Sequence, residues 1–265
     1  MIGPFQDYRG LAAEVYDAIW SEEIDDLPFF SWLLGPPTGR LLELGCGTGR
    51  ILLPLLKEGW RGDGIDASET MLALCREKLE NEGLSAGLHQ QTIEALSLTE
   101  RYHRIIIPGF SFQHLLTTEG SLAALRRIRT HLTSRGRLII SLFLPWESIR
   151  AGDERTWKLR STAPLAKERT VLCHESMTVD PVHQELTVWN RYEIVDPDGK
   201  LLDQTLVRNQ IRWFGLEEFK LLLTAAGFDR IEIYGDFAPA PPTASTTYLT
   251  FEARPGSRKV SPKTR

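Results

Sequence analysis

Between residues 40 and 144 the sequence alternates short apolar runs with amphipathic stretches, and this alternation constrains the fold more than any other feature of the chain. The runs LLEL (41–44), DGID (63–66), a segment near 87–92, RIIIP (104–108) and RLIISLFL (137–144) have the length and composition of strands. The stretches near 48–58, SETMLALCREKLENEG (68–83) and 117–131 read as helices, and Gly136 opens the turn into the fifth strand. Short buried strands separated by helices predict a mostly parallel sheet covered on both faces, because helices on both sides are what hide such strands from water.

Past Pro145 the period changes. ERTVLCHESMTV (168–179), QELTVWNRYEIV (184–195) and KLLDQTLVRNQIRWF (200–214) alternate with period two, and Asp198-Gly199 joins the last two as a hairpin signal. They predict an antiparallel β insertion, a flap, after the fifth strand. A helix returns at LEEFKLLLTAAGF, and RIEIYG and TTYLTFEAR complete a Rossmann-like α/β sheet of seven strands. Upstream, Tyr8, Leu11, Ala12, Val15 and Ile19 recur at helical spacing and predict one amphipathic helix over 8–20.

Composition removes several function classes. With 265 residues and 42% hydrophobic content, the chain can bury one large domain. Its longest strongly apolar run, LIISLFLPW, falls short of the roughly 20 residues of a membrane helix, and the N-terminus lacks signal-peptide order, so a soluble, cytoplasmic protein with no membrane partner is expected. Cys46, Cys75 and Cys173 are odd in number and widely spaced, which fits reduced thiols, and the six histidines show no metal-ligand spacing. A net charge of −4 argues against nucleic acid. The basic tail 254–265 reads as a frayed terminus rather than a binding arm.

The chemistry is carried by LLELGCGTGR (41–50), where Gly45, Gly47 and Gly49 follow the first strand and Glu43 precedes them. Ligands of open α/β sheets bind at the carboxyl ends of the strands, and glycines let the backbone come close to them. Asp66, 21 positions beyond Gly45 at the end of the second strand, suits a carboxylate that accepts both hydroxyls of a ribose. Ribose alone leaves a nicotinamide dinucleotide and S-adenosylmethionine open. The dinucleotide fingerprint asks for a third glycine where this chain has Arg50. Glu43 would also repel a pyrophosphate, whereas it favours an ammonium or sulfonium group.

ELGCGTGR, with GIDAS and MLALC downstream, resembles the class I S-adenosylmethionine-dependent methyltransferases. IPGFSFQHLL, the antiparallel insertion and RWFGLEEFKLLLTAAGF are similar to small-molecule members, including amino-sugar N,N-dimethyltransferases. The resemblance implies S-adenosyl-L-methionine as cofactor, S-adenosyl-L-homocysteine as product, and in-line methyl transfer to a small-molecule N- or O-nucleophile. It places Gly45, Cys46 and Gly47 along the methionine part, Asp66 on the ribose, and Ala67, Ser68 and Met71 beside the adenosine. Thr92 and Ile93, with Glu94 as a substitute acid, stand where many relatives carry an acid facing the adenine amino group. Pro108, closing the fourth strand, joins the cofactor set, and Tyr16 matches a tyrosine that covers the cofactor. His114, after the fourth strand, is the candidate general base, since an amine must lose a proton before its lone pair can attack.

These readings divide the chain into an N-terminal helical lid (1–36), a cofactor-binding α/β domain (37–146 and 214–253), the flap (147–213) and the tail. Trp157, Trp189, Arg191, Tyr192, Arg212 and Trp213 either form the core of the flap and its contacts or roof a substrate. The alternation puts Trp189, Arg191 and Glu193 on one face and Val188, Asn190, Tyr192 and Ile194 on the other. The flap also offers a surface for a homodimer. A non-catalytic interaction protein on the same fold, and a nicotinamide oxidoreductase lacking any Tyr-x-x-x-Lys pair, are the alternatives.

Overall fold

The computed structural model describes residues 8–20, 25–151 and 156–256. The chain opens with α1 (Leu11–Glu14), α2 (Tyr16–Trp20) and α3 (Leu27–Leu34), and then enters β1 (Arg40–Leu44), α4 (Leu52–Lys57), β2 (Arg61–Asp66), α5 (Glu69–Asn81), β3 (Gly87–Gln90) and β4 (Tyr102–Ile107). A 3-10 turn (Ser111–His114), α6 (Thr118–His131), β5 (Leu132–Phe143) and α7 (Trp146–Ala151) follow. The insertion is β6 (Lys158–Leu165), β7 (Arg169–Asp180), β8 (Glu185–Val195) and β9 (Leu201–Arg212). The chain then returns through α8 (Leu216–Ala225), β10 (Phe228–Gly235) and β11 (Tyr248–Pro255).

The main sheet has seven strands in the order β10-β11-β5-β4-β1-β2-β3. Pairings among β1 to β5 are parallel, while β11 runs antiparallel to both β5 and β10. One face is covered by α6 and α8 over Ile105, Ile107, Leu138, Ile140 and Phe251. On the other, Phe29, Phe30, Leu33 and Leu34 of α3 pack with Leu55 of α4 over Leu41, Ile106 and Ile139. Alternate residues of β4 thus enter opposite layers, as a strand buried on both faces requires.

Four local expectations differ. Gly136 lies inside β5, which starts directly after α6 at Leu132. A Cβ on Gly136 would stand 3.0 Å from the Tyr102 carbonyl oxygen, so its glycine character serves close strand packing rather than a turn. The flap has a fourth strand, β6, at the edge of its sheet, where Pro164 is tolerated and the sparse apolar residues give a weak alternation. The N-terminal helix is two short ones meeting at Val15, with α1 packed on β9 and α2 on β6. Arg254 and Pro255 continue β11, so the ordered chain runs past the expected start of the tail, and 257–265 lie outside the described residues, as do 1–7 and 21–24 of the expected lid.

The flap does not stand apart from the N-terminal helices. Val171, Cys173, Tyr192, Ile194 and Val207 share one cluster with Ala12, Val15 and Ile19, and Trp20 Nε1–H donates to the Tyr192 hydroxyl at 3.0 Å. Of the flap aromatics, Tyr192 and Trp213 are buried, while Trp157 and Trp189 lie under the guanidinium groups of Arg191 and Arg208 at 5.0 and 5.7 Å. Among the described residues no helix is long and apolar enough to cross a membrane.

A buried ion pair fastens the N-terminal segment to the glycine loop. Arg50 donates to both oxygens of Asp26, at 2.5 and 3.0 Å, and Asp26 is fully buried. Removing one partner of such a pair leaves an uncompensated buried charge, at a cost of roughly 3–5 kcal/mol. Asp26→Ala is therefore expected to lower the urea midpoint of unfolding by a corresponding amount, and an unchanged midpoint would refute this role.

Candidate active site

The glycine loop leaves β1 with Gly45, Gly47 and Gly49 at φ of 74°, 53° and 87°, in the left-handed region that glycine enters without strain. The amides of Gly45 and Cys46 both donate to the Ile65 carbonyl, at 2.8 and 2.9 Å, which ties the loop to the end of β2. A Cβ on Gly45 would stand 2.5 Å from Ser111 Oγ, so a side chain there would collide with the wall that follows β4. At Gly47 it would meet Met71 Cε at 3.4 Å.

Asp66, at the end of β2, is fixed by two backbone donors. Its Oδ2 accepts the Gly47 N–H at 2.9 Å and its Oδ1 the Ser68 N–H at 2.8 Å. These two bonds set the orientation of the carboxylate before a ligand arrives, and a carboxylate oxygen can accept more than one hydrogen bond. Ser68 caps α5, with Oγ accepting the Met71 N–H at 3.3 Å and donating to the Tyr8 carbonyl at 2.8 Å. Asp17 receives the Thr48 hydroxyl and the Lys78 ammonium, both at 2.6 Å, so α2 is pinned to the loop and to α5.

These elements enclose a cavity of about 300 Å³ at the carboxyl ends of β1, β2 and β4. It is lined by eleven of the residues singled out from the sequence: Tyr16, Gly45, Gly47, Asp66, Ala67, Ser68, Met71, Thr92, Ile93, Glu94 and His114. Thr92 Oγ1 also accepts the Ala95 N–H at 3.3 Å, which shapes the turn after β3. Sequence reasoning missed Tyr8, Gln91, Gly109, Ser111 and Leu115 on the same wall. Gly109 and Ser111 lie within the quoted IPGFSFQHLL segment and were open to inference; Tyr8 reaches the site only by tertiary packing, edge-on to Tyr16 with ring centroids 5.1 Å apart. Burial pushes the Tyr8 hydroxyl up to about 12 and moves Tyr16 in the same direction, so both stay neutral donors at physiological pH.

Glu43, Cys46 and Pro108 do not line the cavity. Glu43 sits behind the loop at 2% exposure, and its Oε2 has no hydrogen-bond partner among the described residues. Burial raises its pKa well above the carboxylate range, against the opposing pull of Arg50. Cys46 turns away into a cluster with Leu52, Leu72 and Cys75, where it cannot serve as a nucleophile for a cavity ligand. Pro108 contributes its carbonyl, which accepts the Ser111 hydroxyl at 3.3 Å.

His114 ends the 3-10 turn, half-buried on the cavity wall. Its Nδ1 lies 3.1 Å from the Gln210 carbonyl, which can only accept, so Nδ1 carries the proton and Nε2 the lone pair. Burial lowers its pKa, opposed by that carbonyl and by Glu94. The ring is therefore neutral at pH 7 and able to take a proton.

The residues fit S-adenosylmethionine on two structural grounds. A side chain on Gly45 or Gly47 would fill the cradle, and a carboxylate oxygen lies unsatisfied directly behind it. Comparisons with known proteins agree. Residues 41–136 match the methyltransferase domain family. The chain is 26% identical to dTDP-3-amino-3,6-dideoxy-alpha-D-glucopyranose N,N-dimethyltransferase of Streptomyces fradiae, over 85% of this chain and 86% of that one. It is 28% identical to cypemycin N-terminal methyltransferase of a Streptomyces species, over 89% of this chain and 93% of the relative. The solved structure of an S-adenosylmethionine-dependent methyltransferase from Clostridium acetobutylicum shares the fold, with a TM-score of 0.78 at 15% identity over 92% of this chain and 97% of that one.

Proposed function

We propose that the chain is a class I S-adenosylmethionine-dependent methyltransferase and that it methylates a small-molecule amine. The observation that carries the choice of nucleophile is the cavity wall, whose ionisable side chains among the described residues, besides two tyrosines, are Asp66, Glu94 and His114, with no lysine or arginine among them. Such a wall draws in an ammonium group and disfavours an acceptor that carries negative charge beside its nucleophile. The two relatives described above act, by their names, on an amino sugar and on the N-terminus of cypemycin, which supports an amine acceptor.

In this reading Asp66 accepts the two ribose hydroxyls, and Ala67, Ser68 and Met71 border the adenosine. Thr92, Ile93 and Glu94 meet the adenine edge. Gly45 and Gly47 let the main chain run close to the methionine part, while Asp66 and Glu94 carry the negative charge on the wall. Tyr8 and Tyr16 cover the cavity and exclude water, which strengthens every polar contact inside. When bound, S-adenosylmethionine supplies an electrophilic methyl group and leaves as S-adenosylhomocysteine. His114 Nε2 takes the proton that the ammonium form of the acceptor must lose, so that its nitrogen lone pair becomes available.

Incubation with methyl-labelled S-adenosylmethionine and a panel of amino sugars, peptides and hydroxylated analogues tests this directly. Label is expected on nitrogen. Label confined to oxygen would overturn the amine assignment, and stabilisation by NAD but not by S-adenosylhomocysteine in a thermal shift would overturn the cofactor assignment as well.

A further inference from the structure

One residue before the proposed base stands a wholly buried amide, Gln113. Its Oε1 accepts the Phe143 N–H at 2.7 Å, and its Nε2 donates to the carbonyls of Phe143 and Arg212 at 3.0 and 3.1 Å. The chemistry of those partners fixes which end of the amide is oxygen, since an N–H must meet an acceptor and a carbonyl a donor. Phe143 closes β5 of the main sheet and Arg212 closes β9 of the flap. The amide therefore joins the ends of two different sheets.

The same strand also holds His114. β9 is the outer strand of the flap sheet, hydrogen-bonded to β8 on one side. Carbonyls two residues apart on a strand point to the same edge, and an uncovered edge leaves them unpaired. At this edge the Gln210 carbonyl is met by His114 Nδ1 and the Arg212 carbonyl by Gln113 Nε2. Two consecutive residues of the 3-10 turn thus engage two alternate carbonyls, and the first contact fixes the height at which the second is made. Packing alone does not call for an amide here, because the neighbouring Phe112 and Phe214 form an apolar layer in which an unmatched amide would be costly.

We propose that Gln113 is the positioning residue for His114, locking the turn onto β5 and β9 so that Nδ1–H meets the Gln210 carbonyl and Nε2 is left as the basic nitrogen. This rests on the reading of His114 as base, and its test separates the two. In the full-length protein, the ring ¹⁵N shifts of His114, assigned by their loss in His114→Ala, report the tautomer without any turnover. Wild type should show the Nδ1–H form; the Nε2–H form would overturn the proposal outright. Gln113→Met, near in size but without the amide, should give mixed tautomers and lower kcat on the order of 10- to 100-fold. Affinity for S-adenosylhomocysteine should stay within about 2-fold, the mark of a loss confined to the chemical step. Should Gln113→Met fail to bind that ligand, Gln113→Glu, which keeps the acceptor for Phe143 N–H, takes its place with the same expectations. A persistent Nδ1–H form with kcat within about 2-fold of wild type, in whichever variant folds, would reduce Gln113 to a structural residue. A fully active His114→Ala would end the base reading and leave the tautomer result standing.

Discussion

Replacing Asp66 with alanine is expected to weaken binding of S-adenosylhomocysteine by about two orders of magnitude, the largest loss from any single change on the cavity wall. Hydrogen bonds to an ionised acceptor contribute roughly 1.5–3 kcal/mol each, and in the proposed cofactor site this carboxylate accepts from two ribose hydroxyls. Each tenfold in affinity corresponds to about 1.4 kcal/mol, so even the lower figure, taken twice, reaches a hundredfold. A second contribution comes from the loop. The Gly47 and Ser68 amides that Asp66 holds at 2.9 and 2.8 Å would lose their acceptor, and Gly47 would be released to other conformations. Asp66→Asn keeps one acceptor oxygen and should fall between wild type and alanine. Titration calorimetry reads both variants, and an unchanged affinity in Asp66→Ala would remove Asp66 from the cofactor site.

Asp66 and the glycines were legible because their signal is local. A strand, a tight turn and a helix occupy consecutive residues, and the next strand end follows at a spacing that the parallel register fixes: Glu43 pairs with Gly64 and Leu44 with Ile65, which brings Asp66 level with the start of the loop. The apolar runs of β4 and β5 were equally readable, since a strand buried on both faces has no polar alternation to blur it. Failures cluster where a residue's role is set by something distant in sequence. Gly136 has the composition of a turn, and only the approach of the Tyr102 carbonyl reveals that it belongs in a strand. Arg50 was noticed as a missing glycine, yet its structural role depends on Asp26, which lies 24 residues earlier on a helix entry that no periodicity announced.

Glu43 shows how a correct chemical argument can be attached to the wrong surface. An ionised acid two residues before the first glycine would disfavour a polyanion, but β1 alternates, and Glu43 projects behind the loop to 2% exposure. There burial raises its pKa, so the charge that a ligand meets first is carried by Asp66 and Glu94 on the wall itself. The flap aromatics divide in a similar way. Alternation correctly separated Tyr192 from Trp189, but only the N-terminal helices decide which face is covered, and they cover the Tyr192 face.

His114→Ala should lower kcat by roughly 10²- to 10⁴-fold, the usual contribution of a positioned general base, while affinity for S-adenosylhomocysteine stays close to wild type. The pH dependence carries a further expectation with a definite sign. The base works only when neutral, so rate falls as pH drops through its pKa. Burial shifts that pKa below the ordinary 6.5, which moves the acidic limb downwards and leaves the ring fully competent at neutral pH. An amine acceptor adds its own limb at higher pH, because its protonated form has no lone pair to offer. The two are separated by running wild type and variant on one acceptor: the alanine variant should lose the limb below 6.5 and keep the other. Among the described residues the Gln210 carbonyl and Glu94 both favour the protonated ring, and burial opposes them and prevails. Glu94→Gln should therefore move the acidic limb still lower, because the charge that favours the protonated ring is gone; a limb that moves upwards, or an alanine variant that turns over at the wild-type rate, would place the proton's destination elsewhere in the cavity.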